Sequence, residues 1–317
     1  MVLAVKAVNL RVGYLDSEEN VMWAVRGVSF EVSEGEIFCL VGESGCGKST
    51  TGNAVAGILP PHAVTDGELR IFDRPVIQGS KTNYNGVRGR IVSYVPQNPG
   101  TGLNPYYTVE DQFYYVLNSL YGWDKKKAVE VSRNYLSLVG LDPDRALDYY
   151  PHELSGGMQQ RAAIALALST GAKVVVADEP TSSIDANLRL QLIKLLLDLR
   201  DSQKISLFLI THDIMSAGKI CDTIAVMYAG RLLEIGRGSE VVTEPLHQYT
   251  RMLVDAAPIL GFKKVLKSVT SEPPRPGAVV EGCVFRSRCS WAFEKCVEAP
   301  PRISVFGRGV ECWRYAG

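Results

Sequence analysis

The sequence predicts an α/β fold built on a largely parallel sheet, and two observations predict it. Short apolar runs recur at 37–41, 174–177, 205–210 and 223–227, with stretches of helical character between them. That is the pattern of buried strands joined by crossover helices. Three of the runs also end in polar residues able to do chemistry: a glycine-rich loop after Val41, Asp178-Glu179 after Ala177, and Thr211-His212-Asp213 after Ile210. Ligands of such sheets collect at the carboxyl ends of the strands.

Each element follows from local signals. Residues 28–50, VSFEVSEGEIFCLVGESGCGKST, read as an alternating strand, a turn at Gly35, the apolar strand 37–41, a glycine loop and a helix 49–59 stopped by Pro60-Pro61. From Gln97 to Leu168 the pattern is mostly helical with Pro and Gly punctuation, as in an inserted subdomain. The run 223–227 is followed by a turn at Gly230. Past Gly236 the composition changes, and the proline-rich stretch 272–276 reads as an extended linker into a tail with four cysteines.

Composition narrows the function. At 317 residues the chain is long for one core, so a large domain with an appendage is expected. Lys+Arg and Asp+Glu both number 34, which argues against a nucleic-acid binder. No apolar run reaches membrane-spanning length. The N-terminus MVLAVKAVNLRVGY lacks the layout of a secretion signal. A reducing cytosol is therefore expected, where cysteines serve as metal ligands, reactive thiols or buried apolar residues more often than as disulfides.

Residues 42–49, GESGCGKS, fit G-x-x-x-x-G-K-[ST] between a strand and a helix. Such a loop turns its backbone N–H groups inward around phosphates and adds the positive end of a helix dipole. The nucleotide-binding set is Gly42, Ser44, Gly45, Cys46, Gly47, Lys48, Ser49 and Thr50. Lys48 would reach the β- and γ-phosphates, and Ser49 would hold Mg²⁺ with Asp178 from the second strand end. Glu179 would polarise the attacking water. Cys46 reads first as a small side chain that fits the loop; because a helix N-terminus also lowers a thiol pKa, its alkylation is expected to block ATP hydrolysis, with bound nucleotide protecting. Residues 152–168, HELSGGMQQRAAIALAL, carry a second glycine-rich helix start, suited to a nucleotide held by a neighbouring copy. His62, His152 and His247 read as structural.

This order of motifs (phosphate loop, Gln97, LSGGMQ, ADEPTSSID and Thr211-His212-Asp213) resembles the ATP-binding cassette (ABC) ATPases. The resemblance implies an α/β P-loop NTPase with an antiparallel N-terminal part, a helical signature subdomain at about 98–168 within a cassette at 1–250, and a small Cys-rich extension at 251–317. It implies that Gln97 contacts Mg²⁺ and couples to a membrane partner, and that Glu179 is the general base. It also implies that His212 contacts the γ-phosphate, and that Ser155, Gly156, Gly157 and Gln159 close on the partner's ATP. Asp185 would lie in a loop crossing the dimer interface, though Ser183-Ile184-Asp185 has isoleucine where the family usually has leucine. Tyr14 would stack on adenine, with Trp23 as its substitute.

Residues 97–113, QNPGTGLNPYYTVEDQF, together with Pro245-Leu246-His247, Tyr249-Thr250 and the tail, are similar to ATPases of oligopeptide and dipeptide importers. That resemblance implies two cassettes, as a homodimer or a heterodimer, on two permease subunits at the cytoplasmic face of the membrane. An extracytoplasmic binding protein would select the cargo, which in related importers is also oligosaccharide or nickel. Cys283, Cys289, Cys296 and Cys312 can saturate a [4Fe–4S] cluster or a zinc ion. The wide spacing and the resemblance favour the cluster; buried thiols or disulfides are the remaining alternative. Phe285, Trp291, Phe293 and Trp313 would give the cluster an apolar shell. A soluble cassette protein and an iron–sulfur redox sensor are the rival readings.

Overall fold

The computed structural model describes residues 2–180, 186–257, 274, 278 and 280–316, with residues 99 and 186–190 described by backbone alone. Asp185 and its loop lie outside the described residues, as does the proline-rich stretch 272–276 apart from Pro274. The chain divides into two compact units, Met1–Asn83 with Ile210–Gly317, and Tyr84–Leu209. Among the described residues no helix is long and apolar enough to cross a membrane.

The first unit begins with strands β1 (Leu3–Leu15), β2 (Val21–Ser33) and β3 (Ile37–Val41), helix α1 (Lys48–Ala56), and strands β4 (Ala63–Ile71), β5 (Arg74–Gln78) and β6 (Lys81–Thr82). An antiparallel sheet of order β2-β1-β4-β5-β6 forms the expected antiparallel N-terminal part. Every residue of β3 is buried, as a strand covered on both faces requires. Helix α1 ends before the expected stop at Pro60-Pro61. Gly57 takes a left-handed conformation (φ 72°) and its N–H turns back to Ala54 O, closing the helix a turn early.

The second unit holds β7 (Val92–Val95), helices α2 (Pro99–Gly102), α3 (Val109–Tyr121), α4 (Lys125–Leu138), α5 (Pro143–Ala146) and α6 (Gly156–Ser169), strand β8 (Val174–Asp178), helix α7 (Ala186–Gln203) and most of β9 (Ser206–Thr211). The helical insertion is therefore present, and its helices start at side-chain caps: Thr108 accepts from Asp111 N at the head of α3, and Asp124 from Lys127 N at the head of α4. Strands β7 and β8 are parallel, with Val95 opposite Ala177.

The chain then returns to the first unit through α8 (Ile214–Ile220), β10 (Thr223–Tyr228), β11 (Arg231–Arg237), α9 (Gly238–Thr243), α10 (Gln248–Ala256) and the tail hairpin β12 (Arg302–Val305) and β13 (Arg308–Glu311). Within this unit the order β12-β13-β11-β10-β3 makes the tail hairpin the outer pair of the sheet, with Glu234 of β11 opposite Val310. A buried ion pair fastens it: Arg308 Nη1 lies 3.3 Å from Glu234 Oε1, with side chains 5% and 0% exposed. Arg308 also donates to the carbonyls of Glu240 and Glu244, the first of which already accepts from Glu244 N at the end of α9.

One cysteine pair departs from the expectation of unpaired thiols. Strands β3 and β10 run parallel with Cys39 opposite Ile224, which brings Cys221 alongside, and Cys39 and Cys221 form a disulfide with Cα atoms 5.9 Å apart. That separation lies within the range a disulfide spans.

Candidate functional site

The phosphate loop leaves β3 at Gly42 and enters α1 at Lys48. Two of its glycines are required by close approach. A Cβ on Gly42 would meet Met227 O at 2.2 Å, and one on Gly47, whose φ is 108°, would meet Ala24 O at 2.5 Å. The backbone is thus fixed from outside while Ser44, Gly45 and Ser49 stay exposed on the open side of the loop. Lys48 is 5% exposed, and its Nζ donates to Gly42 O at 2.8 Å and Glu43 O at 2.9 Å. Its charge is therefore held at the loop's centre, where phosphate oxygens would take over those hydrogen bonds.

Tyr14 and Trp23 are the residues expected at the base end of a nucleotide. Tyr14, at the end of β1, donates from its hydroxyl to Thr50 Oγ1 at 3.3 Å. Trp23 has the guanidinium of Arg11 over its ring, 4.0 Å from the centroid, so that face is already taken. His212 is exposed directly after β9, and Asp213 caps α8 by accepting from Ser216 N at 3.0 Å.

Cys46 corrects the sequence reading. It is 6% exposed, and burial raises its thiol pKa; the nearby Lys48 charge lowers it by less. The helix N-terminus was the basis for a reactive thiol, but loss of hydration disfavours the thiolate more than Lys48 favours it. The bland reading, a small buried side chain, fits the structure.

The acidic group belongs to the second unit. Asp178 closes β8, 4% exposed, and Glu179 follows with its backbone in the left-handed region, φ 42°. A non-glycine residue there costs about 1 kcal/mol or more, so the turn is held by its surroundings. Because Val95 and Ala177 are paired, Gln97 and Glu179 emerge side by side two residues later, and Gln97 Nε2 donates to Glu179 Oε2 at 3.3 Å. Sequence reasoning missed Tyr94. Its hydroxyl bonds Asp178, and burial followed by the Asp178 charge pushes its pKa up to about 12. Its place three residues before Gln97 is the signal that was available. Of the three residues expected to hold Mg²⁺, Gln97 and Asp178 lie in this unit and Ser49 in the other.

The signature sits at the head of α6. Ser155 caps the helix by accepting from Met158 N, and a Cβ on Gly156 would meet nothing within 4 Å. Ser155 and Gly156 are exposed, so this helix start is open for a ligand. Gln159 turns back instead, donating to Pro151 O at 2.8 Å and Leu154 O at 3.1 Å, and braces the preceding turn.

In the tail, Cys283 and Cys296 are buried and Cys289 and Cys312 half-buried. Burial raises the pKa of Cys283 to about 11, with smaller contributions from the charges of Cys296, Cys289 and Cys312. The four thiols therefore gather in one neighbourhood. Among the described residues, however, no three His, Cys, Asp or Glu side chains stand close enough together to hold a metal ion. The expected apolar shell is also not formed. Phe285 packs away on Tyr228 and Tyr249, and Phe293 is 48% exposed. Trp291 and Trp313 are faced by Arg314 and Lys295, 4.2 Å from each ring. Indole faces attract cations, and here they do so ahead of forming an apolar lining.

Two families match parts of the chain: "ABC transporter" at residues 25–182 and "Oligopeptide/dipeptide transporter, C-terminal region" at 233–296. The dipeptide transport ATP-binding protein DppD of Bacillus subtilis is 38% identical over 92% of this chain and 88% of its own length. The oligopeptide transport ATP-binding protein AppD of the same organism is 35% identical over 97% of this chain and 95% of its own. A dimeric ATP-binding cassette solved in a post-hydrolysis state with ADP and Pi superposes with a TM-score of 0.62 at 27% identity, covering 74% of this chain and 98% of that one.

Proposed function

Since the chain belongs to the ABC transporter ATP-binding proteins, in the branch of the dipeptide and oligopeptide transport ATPases, we propose that its hydrolysis of ATP drives a peptide importer. The observation that carries the catalytic part is the pairing of Gln97 with Glu179 beside Asp178 at adjacent strand ends. Glu179 serves as general base toward water, with Gln97 holding its carboxylate in place. Lys48 and the backbone of 42–49 hold the phosphates, Tyr14 stacks on the base, and His212 reads the γ-phosphate. Ser49, Gln97 and Asp178 would hold Mg²⁺, which supplies charge neutralisation on the phosphates when bound.

Residues 1–250 act as the cassette and 251–317 as its extension. Ser155, Gly156 and Gly157 complete the site of a second cassette, with Asp185 at the shared interface. The dimeric state of the similar cassette supports that arrangement. In the second unit Tyr106, 85% exposed, and Tyr115, 50% exposed, offer aromatic surface to a permease partner at the cytoplasmic face of the membrane. The extracytoplasmic binding protein acts through that permease. Reconstitution with permease and binding protein tests the cargo: ATPase activity stimulated by peptides supports the reading, and stimulation only by an oligosaccharide or by nickel overturns it.

For the tail, Cys283, Cys289, Cys296 and Cys312 are proposed to hold a [4Fe–4S] cluster, with zinc as the alternative. Four cysteines in one short tail, near enough to feel each other's charge, support a shared ligand, although among the described residues no three of them stand within reach of one ion. Iron and acid-labile sulfide analysis of anaerobically purified protein decides it: about four of each per chain is expected for the cluster, and zinc or no metal rejects it.

A further inference from the structure

Glu43 places a negative charge inside a loop built for anions. Its carbonyl accepts from Lys48 Nζ at 2.9 Å, and its N–H donates to Tyr249 Oη at 2.9 Å. Its carboxylate is met by a residue 245 positions away: Arg288 Nη1 donates to Oε2 at 2.6 Å and Nη2 to Oε1 at 2.9 Å. This is the two-pronged geometry in which a guanidinium neutralises and orients a carboxylate at once.

Arg288 is itself held firmly. Its side chain is 5% exposed, and Nη1 also donates to Tyr228 Oη at 3.3 Å. It closes the turn Arg286–Arg288, whose backbone is fastened at both ends by cysteines, with Arg286 N donating to Cys283 O and Cys289 N to Arg286 O. Beneath it Phe285, 1% exposed, packs on Tyr228 and Tyr249 with ring centroids 5.3 Å apart in each case. The cysteine tail therefore presents one rigid cation to the phosphate loop.

We propose that Arg288 is a positioning residue for ATP: it cancels the Glu43 charge and turns that carboxylate away from the phosphates, so that the tail sets the affinity of the loop. Left unpaired, Glu43 would repel the incoming anion and compete for Lys48. The role of Arg288 is thus defined relative to Glu43, and that makes it separable from mere stability. The inference rests on the reading that residues 42–49 hold the ATP phosphates.

The test is titration of the intact chain with a fluorescent ATP analogue. Arg288→Ala is expected to weaken binding about tenfold, the size of losing one charge-assisted hydrogen bond. Glu43→Gln combined with Arg288→Ala is expected to restore nearly full affinity, because no charge is left to neutralise. Unchanged affinity in Arg288→Ala, or a double variant as weak as the single one, overturns the proposal. Should Arg288→Ala not fold, Arg288→Lys in the same two backgrounds gives the same comparison with a smaller loss, about threefold, since lysine keeps charge but not the fork. Lys48→Ala is the control: retained binding there rejects the phosphate-loop reading itself, whatever Arg288 does.

Discussion

Gln97 donates to Glu179 across the ends of two parallel strands, Nε2 to Oε2 at 3.3 Å. An amide can orient a carboxylate without taking its charge, so this contact places a base and leaves it able to accept a proton. Glu179 follows the strand on a left-handed backbone and meets Gln97, while Asp178 closes the strand and bonds Tyr94. Two neighbouring acids are thereby given different partners.

Glu179→Gln is expected to bind ATP normally and to lose about 10²–10⁴-fold in turnover, the range for removing a general base. Single-turnover hydrolysis on pre-bound ATP measures it. Near-normal hydrolysis would take the base role from Glu179.

Buried and raised in pKa, Cys46 should label slowly. With a thiol reagent at neutral pH, modification of Cys46 in the folded chain is expected to lag behind that of the same thiol in the chain unfolded by denaturant. Mass spectrometry of timed digests follows the site. Cys46 labelling as fast folded as unfolded would restore the activated thiol.

His247 is 1% exposed, and burial lowers its pKa to about 4. Its Nδ1 accepts from Tyr249 N, Glu234 accepts from its backbone N–H, and Phe285 lies edge-on to its ring. A depressed histidine pKa means that the unfolded chain binds the proton more readily. Stability is therefore present above about pH 6.5 and falls as pH drops toward 4, by about 3 kcal/mol in all. Glu234, raised by burial and facing the same segment, shifts stability the opposite way, so the comparison needs a partner variant. His247→Asn keeps an acceptor for Tyr249 N and does not titrate. Denaturant melts across this window are expected to show a flatter pH dependence for the variant than for the parent, and parallel profiles would rule the effect out.

Arg308→Met leaves Glu234 buried without its cation and is expected to cost about 3–5 kcal/mol near neutral pH. The cost should shrink in acid, because Glu234 already takes a proton more easily than an exposed carboxylate and protonation removes the stranded charge. Equal losses at neutral and acid pH would show that packing, and not charge, is what Arg308 supplies.

What the sequence made legible was local. The run 37–41 is β3 to the residue, and the others fall within a residue or so of Val174–Asp178, Ser206–Thr211 and Thr223–Tyr228. Apolar runs and glycine loops announce themselves in a few neighbouring residues. Position in the loop said nothing of how deeply Cys46 is buried, so its reactivity was misjudged. The partners of Arg288 and Arg308 lie 245 and 74 positions away, where no local pattern reaches. Tyr94 was within reach, three residues before Gln97, but a tyrosine in a strand reads first as packing.

The span between Glu43 and Arg288 also has a meaning in time. Synthesis at about 5–20 residues per second separates the two by roughly 12–50 s, an interval set by their 245-residue spacing. During it the phosphate loop has left the ribosome with its carboxylate uncovered, and the outer hairpin of the sheet has not yet been made. A product broken off before the tail lacks the guanidinium altogether. Such fragments would compete poorly for nucleotide, and a truncated cassette would be kept from idling beside intact ones.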